Sequence, residues 1–195
     1  MRAELEHKNE SSMLRASFVR TVGERDRIYV TRSDGSEVTW VFATYGDVPP
    51  HDMVHLIVES AFGVSRGFWG RVDAGIDPGV IAAQANRLGG RNKYAAFGDD
   101  QPELVLAEVL ANSGWFMNES LSEALYSQIV AGCREAGLQA PLLLSPERAA
   151  QVCAVLWHLA ARWRDLKPKG AITLFFDPRN PVRAFEELLV LEGIQ

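Results

Sequence analysis

The hydrophobic period changes once along this chain, and that change limits the folds open to it. Up to about residue 42, apolar residues alternate with polar ones. Leu14, Ala16 and Phe18 interleave with Arg15 and Ser17, Ile28 and Val30 flank Tyr29, and Val38, Trp40 and Phe42 flank Thr39 and Val41. A period of two is that of strands with one buried and one wetter face. Ser33-Asp34-Gly35-Ser36 separates the second run from the third. Asp-Gly adopts positive φ at little cost, so this is a hairpin turn, and the three runs make an antiparallel meander.

From residue 50 onward the signals are those of helices. The first is expected over Pro50 to Phe62. Asp77-Pro78 opens a second and Asp100-Gln-Pro-Glu103 a third. Ser120-Leu-Ser-Glu123 is a capping box for a fourth, with Gly137 as its stop. Ser145-Pro146 opens a fifth, whose apolar residues Ala149, Val152, Cys153, Leu156, Ala160 and Trp163 follow helical spacing. Ala171 to Phe176 is then a strand, expected to join the N-terminal sheet and, being apolar almost throughout, to be buried on both faces. Asn180-Pro181 opens a last short helix. Strands first, helices after and one returning strand predict an α+β fold. Its mostly antiparallel sheet, the meander plus a C-terminal strand, packs with five to six helices. No linker or repeat divides the 195 residues, so residues 1–195 are expected to form a single domain, with 1–12 a flexible N-terminal segment.

Composition narrows the function. Hydrophobic residues make up 47% and charged residues 23%, which excludes disorder, collagen and a disulfide scaffold for the whole chain. The formal net charge of -5 disfavours nucleic acids and anionic membranes as partners. No run approaches the roughly 18 apolar residues of a spanning helix, and the first residues have the character of neither a signal nor a transit peptide. Cys133 and Cys153 fall within helical segments and read as inert core thiols. A cytoplasmic location is the expectation. Partners stay open, a homo-oligomer among them.

One constellation carries chemical content: His51-Asp52-Met53-Val54-His55, with Glu59 one turn further. At about 100° per residue these four polar groups share an arc of about 100°. Histidines four apart on a helix can share a metal ion, and the spacing is that of the HExxH zinc motif with Asp in place of Glu. On this reading His51 and His55 are ligands to zinc or another divalent transition metal. Glu59 is the third ligand, with Asp73 and Asp77 as other candidates, and Asp52 is the catalytic base of metal-assisted hydrolysis. At a helix N-terminus the macrodipole disfavours a charged imidazole, which keeps it able to ligate. The competing reading is structural. Val54, Val58, Ala61 and Phe62 share the histidine face, and core histidines can simply donate hydrogen bonds to carbonyls. The chain would then be a non-catalytic interaction module, with Trp69, Trp115 and Phe116 partly exposed as a partner surface.

Other motifs lack the context that would give them meaning. Gly63-Val-Ser65-Arg-Gly67 has the form of a nucleophile elbow, but a helix rather than a strand precedes it, and Gly63 reads as a helix cap. Gly67-Phe68-Trp69-Gly70 has the GxxG form of a nucleic-acid-binding loop with apolar residues where the backbone would lie. Arg87, Arg91 and Lys93 read as a solvated basic turn.

Two segments together resemble a family. Pro49-Pro50-His51-Asp52-Met-Val-His55, with Glu59 and Gly67-Phe68-Trp69-Gly70, is one; Trp163-Arg-Asp-Leu166-Lys-Pro168-Lys-Gly170 and the strand after it is the other. The pattern is similar to that of small uncharacterised bacterial proteins with a PHDxxH…E…GFWG signature and a closing WxxLxPxG strand. Where that family usually opens Leu-Pro, this chain has Pro49-Pro50. The family has no established activity. The resemblance implies a bacterial cytoplasmic protein and singles out His51, Asp52, His55 and Glu59.

Overall fold

The computed structural model describes residues 13–21, 25–42, 47–81, 101–117 and 122–194. The expected flexible segment 1–12, the basic residues Arg87, Arg91 and Lys93, and the helix-opening Asp100 and Ser120 lie outside the described residues. The fold is α+β. Strands β1 (Leu14–Val19), β2 (Arg27–Thr31) and β3 (Glu37–Val41) precede helices α1 (His51–Phe62), α2 (Phe68–Asp73), α3 (Gln101–Ala111), α4 (Ser122–Glu135) and α5 (Pro146–Asp165). Strand β4 (Ala171–Phe176) and helix α6 (Pro181–Glu192) follow. A further helical turn covers residues 78–81.

The meander forms as its pattern predicts. Gly35 takes φ +85° in the β2–β3 turn, and the Ser36 amide donates to Asp34 Oδ1 at 2.8 Å. The sheet order is β3-β2-β1-β4, antiparallel throughout. Register puts Phe18 opposite Ile28 and Ile172, and Ile28 opposite Trp40, so one apolar row crosses all four strands.

Strand β4 joins the sheet, but not as a strand buried on both faces. It is an edge strand, with Ile172, Leu174 and Phe176 buried and Ala171, Thr173 and Phe175 exposed. Among the described residues the helices cover one face of the sheet, so Phe175 lies on the other, exposed face although its apolarity suggests otherwise. On that face the Ser17 and Thr173 hydroxyls share a hydrogen bond of 2.9 Å.

Helix α1 is the central element, in contact with α2, α3, α5, α6 and β4. All ten residues from Met53 to Phe62 are buried. It ends in a Schellman arrangement. Gly63 takes φ 71°, and the Val64 amide donates to the Glu59 carbonyl at 2.9 Å. That geometry accounts for Gly63 as a cap and leaves Ser65 in a turn after a helix, not on an elbow after a strand. Helices α5 and α6 start as their sequences predict. Ser145 and Asn180 accept from the Arg148 and Arg183 amides, with proline at the first helical position of each. Cys133 and Cys153 are both buried. Among the described residues no helix is long and apolar enough to cross a membrane.

The C-terminal segment contributes the inner row of β4 and the α6 residues Ala184, Phe185 and Leu189 to the core. Deleting residues 170–195 should therefore expose β1 and one flank of α1, and is expected to abolish cooperative thermal unfolding. A truncated chain that stays soluble and melts in a single sharp transition would show that this segment is peripheral.

Candidate metal centre

Helix α1 starts without a side-chain cap. Its first turn is held by the Met53 amide donating to the Pro50 carbonyl at 2.9 Å. This places His51 at the surface and His55 one turn deeper, with the two rings perpendicular and their centroids 4.7 Å apart. His55 is 2% exposed and Glu59 is fully buried.

Glu59 does not stand beside the histidine pair as a third ligand. Its Oε1 accepts from His55 Nδ1 at 3.1 Å and from the Phe68 amide at 3.0 Å, and its Oε2 accepts from the Trp69 amide at 3.0 Å. The carboxylate thus caps α2 from within the core, a role the expected spacing along α1 did not suggest. Burial raises its pKa, while His55 and the two amides pull the other way. With two amides donating to it, the Glu59 carboxylate in its ionised form can only accept at His55 Nδ1, so in the neutral ring the hydrogen sits on that nitrogen. The Nε2 lone pair is then directed away from Glu59.

Two glycines make this seat. A Cβ on Gly67 would lie 2.7 Å from Glu59 Cδ and Oε2, and one on Gly70 would lie 1.8 Å from the Ser65 carbonyl oxygen. The GFWG segment therefore opens the short helix α2, an element its sequence does not announce, with Gly67 just before it, and folds tightly enough to bring two amides onto a carboxylate. Its aromatics are not a partner surface. Trp69 is fully buried and Phe68 nearly so, with the Phe68 ring 5.7 Å from that of His55. Trp115 is also buried, so of the three aromatics expected at the surface only Phe116 is partly exposed. These rings face inward because α2 and the end of α3 pack against the sheet and α1.

Asp52 is tied to the same unit. Its Oδ2 accepts from Trp40 Nε1 on β3 at 2.9 Å, and its backbone carbonyl accepts from Trp69 Nε1 at 2.9 Å. Burial raises its pKa, opposed by the Trp40 hydrogen bond and the two histidines. Asp73 and Asp77 are engaged elsewhere. Asp73 accepts from the amide and hydroxyl of Ser33, and Asp77 caps the turn at 78–81.

The third group beside the histidines comes from α3. Ligand atoms of His51, His55 and Glu108 all lie within 4.8 Å of one another. Glu108 Oε1 is 3.7 Å from His55 Nε2. Ligand atoms around a tetrahedral ion with bonds of about 2.1 Å sit about 3.4 Å apart, so small side-chain rotations would close the set. Asn112, just past the end of α3, donates from Nδ2 to Glu108 Oε2 at 3.3 Å and to the Glu108 carbonyl at 2.8 Å. This leaves Oε1 to face the imidazoles. No local signal marks Glu108 in the sequence; only the packing of α3 on α1 brings it to the pair.

The electrostatics differ for the two rings. Partial desolvation of the ring, even at its surface position, and the neighbouring His55 hold the His51 pKa below the ordinary imidazole value. For His55 burial acts in the same direction, but the Glu59 hydrogen bond and the charges of Glu59, Glu108 and Asp52 outweigh it and raise the pKa. Comparison with family models, curated proteins and solved structures gives no match to this chain.

The tight seat of Glu59 can be tested from its glycine. Gly67→Ala forces the carboxylate to move, and is expected to cost about 1–3 kcal/mol in urea unfolding, typical of overpacking. It should also shift the His55 imidazole resonances in NMR, because its Nδ1 partner is displaced. Stability within about 0.5 kcal/mol of wild type, the range of neutral surface changes, with unmoved resonances would contradict it.

Proposed function

We propose that this protein binds a divalent transition metal ion through His51, His55 and Glu108, with Glu59 positioning His55 from behind. One observation carries the reading: the Nε2 edge of a deeply buried histidine faces a carboxylate and a second histidine, while its Nδ1 is held by another buried carboxylate. Ligating histidines commonly donate their other ring nitrogen to a carboxylate in this way, which orients the ring and raises its basicity. Two imidazoles and one carboxylate suit zinc or ferrous iron, and three protein ligands leave coordination positions free. Metal-dependent hydrolysis is the reaction class this arrangement fits. Asp52 is its candidate base, anchored by Trp40.

Elemental analysis and calorimetric titration of tag-free protein test this directly. About one equivalent of metal is expected, with chelator removing it and zinc restoring it. Zinc at a hundredfold excess over Kd should stabilise the fold by about 2.7 kcal/mol. His51 is exposed, so His51→Ala in the presence of chelator should change stability by no more than about 0.5 kcal/mol. The same variant should lose most of the zinc-dependent increment, as should Glu108→Ala. Less than about a tenth of an equivalent of any transition metal, with no uptake on adding zinc, would overturn the proposal, because a genuine site has affinity. The cluster would then be a structural imidazolium held between Glu59 and Glu108.

The positioning role of Glu59 has its own readout. Glu59→Gln keeps an acceptor for α2 but weakens the pull on His55 Nδ1. It is expected to lower zinc affinity about 10–100-fold, the usual effect of losing such a partner. Unchanged affinity in a folded Glu59→Gln protein would assign Glu59 to α2 capping alone.

A further inference from the structure

One of the proposed ligands, His51, borders a groove that the proposed binding reaction does not use, while His55 and Glu108 do not line it. The groove has a volume of about 600 Å³, and His51 forms part of its wall. The remaining wall is mostly apolar, including Val54 and Ala111 together with Trp115, Phe116 and Met117. Asn112, which holds Glu108, lines it too and, among the described residues, is the main polar side chain besides His51. Its volume falls within the range of small-molecule sites, which combine apolar walls with a few placed polar groups.

The wall is firmly built. The turn after α3 closes as Trp115 Nε1 donates to the Leu110 carbonyl at 2.7 Å and the Ser113 hydroxyl donates to the Val109 carbonyl at 2.6 Å. Trp115 stacks on Phe62 of α1 at 6.2 Å, and Phe116 meets Trp157 of α5 edge-on at 5.9 Å. Met117 is 84% exposed and Val48 53%, so the outer end of the groove presents large apolar side chains to solvent.

From this juxtaposition we infer that the site takes a small carboxylate-like compound with an apolar acyl or aryl tail, its oxygen head on the metal and its tail along the groove toward Met117. The inference rests on the metal reading above. It goes further in naming the substrate class and in giving Ala111, Phe116 and Met117 a role in specificity. A charged or strongly hydrated tail would lose its water against these side chains without finding partners there.

Alkyl hydroxamates separate the two claims, because they share one metal-binding head and differ only in tail. Acetohydroxamate, butyrohydroxamate, hexanohydroxamate and octanohydroxamate would be titrated calorimetrically into the zinc-loaded full chain. Affinity is expected to rise about fourfold per methylene along the series, as for apolar surface leaving water. Ala111→Leu, which narrows the groove, and Met117→Asp, which charges its exposed end, are each expected to flatten that dependence. A wild-type series flat within about twofold, in protein that binds zinc and acetohydroxamate, would overturn the groove assignment and leave the metal site standing. A steep series that neither variant changes would place the tail elsewhere and overturn the assignment as well. Failure to take up zinc, with no acetohydroxamate binding, would overturn both.

Discussion

The Glu59 carboxylate is the interaction on which the rest of this structure depends. An ionisable group with no exposure is costly unless its oxygens are satisfied, and here two amides and an imidazole satisfy them. The amides belong to α2, so one side chain on the central helix fixes where the following helix begins. The imidazole belongs to α1 itself, one turn earlier, so the same group sets the orientation of His55. Disturbing Glu59 would leave two buried amides and a buried ring nitrogen without partners at once, each a loss of about 1–3 kcal/mol.

Around that carboxylate the aromatic residues form a wall with polar edges. Trp69 packs against Phe18 of β1 and Trp40 of β3 at ring distances of 6.0 and 5.9 Å. Its indole nitrogen is spent on the Asp52 carbonyl, and that of Trp40 on the Asp52 carboxylate. The sheet, α2 and the first turn of α1 are thereby joined through hydrogen bonds as well as apolar contact. Placement of this kind gives a rigid first turn to a helix that has no side-chain cap. It also positions His51 and His55 on a support that does not depend on a bound ion.

The opposite wall comes from the end of α3. Glu108 and Asn112 are one turn apart, so the last turn of α3 and the residue just past it supply both a carboxylate toward the histidines and the amide that holds it. The turn that follows carries Trp115, Phe116 and Met117 into the groove beside His51. A polar cluster and an apolar channel thus meet where α1 and α3 cross. This arrangement is the structural basis for joining a metal ion and an apolar ligand in one proposal.

Much of the fold was legible in the residues themselves. Alternation in β1, β2 and β3, the Asp34-Gly35 turn, the Gly63 stop and the Ser145 and Asn180 caps are local features, and local sterics and hydrogen bonding suffice to produce them. The spacing of His51, Asp52, His55 and Glu59 likewise put four polar groups on one arc of α1. What a spacing cannot specify is which neighbour each group meets. Glu59 turned to the amides of α2 because Gly67 and Gly70 let that backbone approach, a contact across a chain reversal that has no period to read. Glu108 reached the histidines because α3 packs on α1, forty-nine positions after Glu59 in the chain. The one-sided burial of β4 was decided by the helices, which among the described residues cover a single face of the sheet and leave Phe175 exposed. The sequence determined the elements and the presence of a polar arc on a buried helix. Tertiary packing decided which carboxylate faces the imidazoles, because that choice depends on distances between elements that no local pattern encodes.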